Sequence, residues 1–120
     1  MKAAIVLAAV AAAIALGACR KEVMTGWGIG DTHAQANNLH YGYDNWLYGC
    51  VGYSGFNAEV GGDMKRFAQG TYRFKADGSA LEFLHQFSNN SWGHSANEAG
   101  DQFGGTANGE IGRASCRERV

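Results

Sequence analysis

The sequence predicts an all-β chain, a fragment of a β-propeller comprising about one four-stranded blade plus part of the next. Three observations carry this. Eighteen glycines and no proline among 120 residues, with frequent aromatics and Asn/Asp turns, favour short strands joined by tight turns over helices. Large residues alternate with small or polar ones in the block HYGYDNWLYGCVGYSGF, residues 40–56. Strand, Asp-containing turn, strand then recurs at roughly thirty-residue spacing, a sign of repeated four-stranded blades.

The elements follow in order. Residues 1–18 combine a short positive start (Met1, Lys2), an apolar run and small residues before Cys19, which reads as a lipoprotein-type signal peptide. The run ends at Ala18, short of the roughly twenty residues a transmembrane helix needs. The sequence LGAC resembles a bacterial lipobox, so Cys19 is the expected lipidation site, and its acyl chains would anchor an extracytoplasmic protein to the membrane. Residues 19–109 are the expected partial propeller domain.

Within that domain a Gly-rich stretch, TGWGIGDTHAQANNL, precedes the first hairpin. Residues 39–42 and 46–52 flank the turn Tyr43-Asp44-Asn45, with Leu39, Tyr41, Trp46, Tyr48 and Cys50 supplying the alternation. Residues 70–75 and 80–87 flank Ala76-Asp77-Gly78-Ser79, where Asp-Gly provides the positive backbone angle of a tight turn. A third pair, 92–97 and 102–107, surrounds Ala99-Gly100-Asp101. The first two pairs are expected to form one blade and the third to begin the next. Residues 56–69, with Gly61-Gly62 and mixed charges, read as a long loop between strands.

The last eleven residues, EIGRASCRERV (110–120), correspond to the translation of a common short-read sequencing adaptor. They are read as an adaptor-derived, non-native tail, with the authentic sequence stopping near Gly109. The remaining blades would then lie in sequence outside this chain. On this reading Cys19 carries lipid and Cys116 belongs to the tail, so Cys50 remains as an unpaired, buried thiol. A formal net charge of −1 and the lack of a basic stripe argue against nucleic-acid binding, and the absence of CxxCH means no haem motif in this piece.

Three stretches, GWGIGDTHAQANNLHYGYDNWLYGCVGYSGF, GTYRFKADGSALEFL and SNNSWGHSANEAGDQFGGTANG, together resemble the propeller of membrane-bound dehydrogenases common in planctomycete and verrucomicrobial genomes. That group is similar to soluble quinoprotein sugar dehydrogenases. The resemblance spans residues 21–109 and implies oxidation of a sugar or other alcohol, with pyrroloquinoline quinone (PQQ) and calcium as cofactors. It also implies that a histidine before a strand of this type is the general base; His33 occupies that position, one residue farther from the strand than in the soluble enzymes. Those enzymes orient the histidine with an acid in a Gly-Asp-x-Gly turn, whereas this chain has Gly52-Tyr53-Ser54-Gly55. Asp31, two residues from His33, is the candidate substitute.

Each candidate has a structural alternative. His33 can instead be a loop residue bonded to its own turn through Asp31 and Thr32. Asp31, His33 and His40 lack the tight spacing of a transition-metal site, and Asp31, Asn37 and Asn38 lack EF-hand spacing for calcium. Trp27 is a candidate for stacking on a sugar face, while Trp46, after a turn, is expected to pack in the blade. His85 and His94 are expected to be structural, and Lys65 and Arg66 to form a solvated charge pair. The competing functional readings are a non-catalytic propeller that binds glycan or protein at the cell surface, and a truncated assembly product with no function of its own.

Overall fold

The computed structural model describes residues 21–107 and, for the backbone, 111–114. The signal segment, Cys19 and Cys116 lie outside the described residues. Nine strands and no helix occur among them: β1 Ala36–Tyr41, β2 Leu47–Val51, β3 Phe56–Val60, β4 Asp63–Phe67, β5 Gly70–Phe74, β6 Leu81–Gln86, β7 Ser91–Ala96, β8 Gln102–Thr106 and β9 Ile111–Ala114. All pairings are antiparallel. No helix of the described residues is long and apolar enough to cross a membrane.

The first two expected hairpins join into one four-stranded sheet of order β1-β2-β5-β6, an antiparallel meander of the kind that forms a propeller blade. The third hairpin, with β9, forms a second sheet of order β7-β8-β9. The architecture is therefore one blade followed by part of another.

The turn chemistry explains the register. In the β1–β2 turn the Gly42 amide donates to the Trp46 carbonyl at 2.8 Å, Asn45 takes a φ of 62°, and the Asp44 carboxylate accepts from the Trp46 amide at 3.2 Å. The β5–β6 turn uses Gly78 at φ 79° and an Asp77 carboxylate that accepts from the Ser79 amide at 2.9 Å. A bulge between Asn37 and His40, with Asn38 at φ 56°, bends β1. It also frees two amide side chains to reach the second sheet: Asn37 donates to the Ser91 carbonyl at 3.3 Å and Asn38 to the His94 carbonyl at 2.7 Å.

Residues 56–69 correct the loop expectation. They form a β-hairpin, β3–β4, inserted between the second and third strands of the blade. Gly61 and Gly62, at φ 61° and 89°, supply the two positive angles of a primed two-residue turn, which matches strand twist. Phe56, Ala58 and Val60 alternate toward the core, whereas Asn57 and Glu59 face solvent. Phe67 on β4 stacks on Phe56 at 5.3 Å between ring centroids. The charges in Asp63–Phe67 thus decorate a strand.

The hairpin covers one face of the blade. Val51, Phe56, Val60, Tyr72 and Leu81 form the buried cluster, with Trp27, Phe67 and Phe74 packed at its margin. Fully burying each large apolar side chain contributes about 1.5–3 kcal/mol, so this cluster is the chief source of cohesion. Cys50 is buried, as expected for a free thiol; burial pushes its pKa up to about 12, and its Sγ donates to the Asn37 side-chain oxygen at 2.9 Å.

A second cluster joins the sheets. The His94 ring, 7% exposed, stacks on His40 at 4.7 Å and on Tyr48 at 5.6 Å. Neither imidazole nitrogen of His94 has a hydrogen-bond partner, and the Gln102 side chain approaches the ring without reaching hydrogen-bond geometry. Burial, reinforced by His40, lowers the His94 pKa from 6.5 to about 4. In that window the unfolded chain binds a proton that the folded chain does not, so stability rises with pH between about 4 and 6.5 and levels off above it. Thermal unfolding across this range should show roughly 2–3 kcal/mol of pH-dependent stability that is absent in His94→Phe.

Candidate functional site

Because β1 and β2 run antiparallel, with Ala36 opposite Val51, the segment that leads into β1 meets the turn that leaves β2 at one end of the blade. Residues 31–34 form a turn closed by the Ala34 amide donating to the Asp31 carbonyl at 3.1 Å. Ala34 is fully buried, and its carbonyl accepts from the Ser54 amide at 3.2 Å. Ser54 Oγ also donates to the Asp31 carbonyl, at 3.4 Å. Just before β7, the Asn90 side-chain amide donates to the His33 carbonyl at 2.7 Å. Gly52 is required here: a Cβ at this position would run into Asn90 Oδ1 and lie 2.6 Å from Ala34 Cα.

This scaffold leaves the His33 side chain 84% exposed and sets Asp31 beside it. Asp31 Oδ1 accepts from the His33 amide at 2.8 Å and lies 3.4 Å from His33 Nδ1. The other carboxylate oxygen accepts from the Tyr53 hydroxyl. The Tyr53 hydrogen bond, ahead of the His33 amide bond, holds the Asp31 carboxyl below its ordinary pKa, while the same contact raises the Tyr53 phenol. The three side chains form a chain in which Tyr53 fixes Asp31 and Asp31 faces the imidazole. Such an arrangement can hold a proton on Nδ1 and leave Nε2 as an accessible base.

The other candidates are distributed elsewhere. His40 lies within β1 and stacks on Tyr48 and His94, so it does not join Asp31 and His33. Asn37 and Asn38 are engaged with backbone carbonyls of the second sheet. No group of three or more His, Cys, Asp or Glu that could hold a metal ion occurs among the described residues. Trp27 is placed against the core, with ring centroids 4.5 Å from Tyr72 and 4.7 Å from Phe56. Trp46 lies half-buried under Arg73 and Lys75, whose cationic groups sit 4.5 and 4.1 Å from its ring. A cleft of about 540 Å³ adjoins Tyr53, lined by Gly26, Gly28, Phe56, Arg66 and Phe67; His33 does not line it.

Tyr53 and Asn90 were not legible as site residues. Tyr53 lies in the turn after β2 and its role depends on a partner 22 residues earlier; Asn90 acts across 57 residues. In Tyr53→Phe the Asp31 carboxyl should titrate closer to its ordinary value. A carbon-detected NMR titration of Asp31 measures this; an unchanged Asp31 titration would show that Tyr53 does not hold the carboxylate.

Residues 17–119 match the family model described as a domain of unknown function, DUF7133. No curated protein and no solved structure matches the chain. With nearly its whole length covered by that model, the chain belongs to the DUF7133 domain family.

Proposed function

We propose that this chain is the part of a lipid-anchored, extracytoplasmic quinoprotein-dehydrogenase-like propeller that carries the general base for oxidation of a sugar or other alcohol. The observation that supports the reading best is the exposed His33 imidazole with the Asp31 carboxylate 3.4 Å from Nδ1. The sequence resemblance assigns the base role to this histidine. The geometry supplies a carboxylate partner despite the loss of the acid from the turn after β2.

His33 Nε2 takes the proton from the substrate hydroxyl as the C–H hydride departs. Asp31 favours the required Nδ1–H tautomer and stabilises the imidazolium that forms. Tyr53 holds the second oxygen of Asp31, and Asn90 holds the backbone carbonyl of His33. Pyrroloquinoline quinone, when bound with calcium, supplies the hydride acceptor in this chemistry. No group of three or more His, Cys, Asp or Glu occurs among the described residues, and the reading assigns the cofactor contacts to other parts of the intact protein.

A second reading is a non-catalytic propeller that binds glycan or protein at the cell surface. Tyr53 at the position of the expected acid favours it. The two readings separate in one experiment on the intact protein supplied with pyrroloquinoline quinone and calcium. Dye reduction with a panel of sugars and alcohols should be measurable and should fall about 10²–10⁴-fold in His33→Ala. A folded protein that neither binds the quinone nor reduces dye would overturn the dehydrogenase reading. Ligand binding that survives His33→Ala without turnover would support the second.

A further inference from the structure

We infer that the second sheet, built of β7, β8 and β9, is an acid-released clamp on the His33 turn. It docks on the blade at neutral pH and lifts off on acidification, while the blade and its β3–β4 hairpin stay folded. The two sheets belong to separate hydrogen-bonded ladders, and side chains join them. Asn37 and Asn38 on β1 donate to the Ser91 and His94 carbonyls at 3.3 and 2.7 Å, and Asn90 donates back to the His33 carbonyl at 2.7 Å. Asn90 moves with the second sheet, because its own carbonyl accepts from the Ala107 amide at 2.9 Å. Undocking therefore takes the Asn90 amide away from His33.

The two faces of the blade are held by different forces. Toward the hairpin, Val51, Phe56, Val60, Tyr72 and Leu81 pack in an apolar cluster. The other face alternates with it along the strands and presents Tyr48, Cys50 and Thr71, with Cys50 directly opposite Thr71. Ser91 and His94 of β7 close over this face, and the layer is polar. Thr71 Oγ1, Ser91 Oγ and both His94 ring nitrogens are buried there without a hydrogen-bond partner. Buried polar groups without partners oppose docking, so this contact holds less firmly than the hairpin contact and opens first.

His94 makes that contact sensitive to acid. From β1 the His40 ring and from β2 the Tyr48 ring stack on it, at 4.7 and 5.6 Å between centroids. On β8 the residue opposite is Gly104, and the Gln102 side chain approaches the ring. Among the described residues no carboxylate pairs with His94; Asp44 is taken up by the Tyr48 hydroxyl at 2.6 Å and by Arg73 at 3.3 Å. Tyr48 and Cys50 stay neutral, since burial raises both. The His40 and His94 rings lie 24° from parallel, so the in-plane lone pair of His40 is not aimed at the His94 proton. Burial first, then His40, disfavours that proton, and Gln102 favours it by less, so the docked ring titrates at about 4 instead of 6.5. The undocked sheet takes up a proton that the docked sheet refuses. Docking is therefore intact above about pH 6.5 and is lost as pH falls toward about 4.

A sheet of three strands needs a packed face for independent stability, so undocking opens its amides to hydrogen exchange. The test is residue-resolved amide exchange of the full chain between about pH 7.5 and about pH 4.5, with each rate corrected for the intrinsic pH dependence of exchange. Over that range the opening constants of β7 and β8 amides, and of the Asn90 side-chain amide, should rise about a hundredfold. Those of β2 and β5 should keep their neutral-pH values. His94→Phe keeps a ring in the stack and should abolish the rise; His94→Gln makes the same comparison if the Phe variant does not fold. Equal rises in both sheets would show one cooperative unit and overturn the proposal. So would the absence of a rise in β7 and β8, or a rise that survives replacement of His94.

Discussion

The burial of Tyr72 and Val51 beneath Phe56 and Trp27 is the interaction on which the rest of the molecule depends. Both Tyr72 and Val51 are wholly inaccessible, and they sit on the two central strands, β5 and β2. A four-stranded sheet left bare on that face would expose aromatic surface. The β3–β4 hairpin and the Trp27 ring remove it from water. The hairpin is tied to its own flank by a bridge between Trp27 and Phe56 and by the Asn57 amide donating to the Gly26 carbonyl at 2.9 Å. The chain from Gly26 to Gly28 is thereby fixed against residues 54–57, and the Gly28 amide donates to the Gly55 carbonyl at 2.9 Å. Those contacts deliver residues 31–34 to the end of the blade.

Two polar layers build on that apolar base, one at each end of the sheet. At one end, backbone bonds among residues 31–35 and 52–55 leave three side chains, Tyr53, Asp31 and His33, in series. The Asp31–His33 pair is exposed, so it contributes little to stability; its consequence is orientation of the ring. At the other end, Tyr48 donates to Asp44 at 2.6 Å, and Arg73 links Asp44 to Glu82 across β5 and β6. Burial opposes the charge on Asp44, yet the Tyr48 and backbone hydrogen bonds hold its pKa below the ordinary value. Between the ends, the stacked His40, Tyr48 and His94 rings fasten one sheet to the next.

Much of the fold was legible because turns announce themselves. Asp-Gly at 77–78 and the Asp44-Asn45 turn have side chains that bond the backbone two residues on, and the flanking alternation fixed which strands they join. The β3–β4 hairpin was hidden by its own composition. Gly61-Gly62 resembles loop sequence as much as a primed turn, and Met64, Lys65 and Arg66 gave β4 no apolar stripe; only pairing with Phe56, Ala58 and Val60 makes it a strand. Of the site, His33 was singled out by the sequence resemblance and Asp31 by its place two residues earlier, where its carboxylate bonds the His33 amide and lies beside the ring. Tyr53 and Asn90 were not, since their roles arise from antiparallel pairing of β1 with β2 and from contact between two sheets. Trp27 shows the same limit: a Gly-rich context suggested an available ring, and tertiary packing sets it against Tyr72.

The central claim is that Asp31 sets the protonation pattern of His33. The most direct measurement is a long-range proton–nitrogen NMR correlation of the neutral His33 imidazole, which reports which ring nitrogen carries the proton. The account predicts the Nδ1–H tautomer in the wild-type chain and its loss in Asp31→Asn. A wild-type imidazole protonated mainly on Nε2, or a tautomer that does not respond to Asp31→Asn, would contradict it.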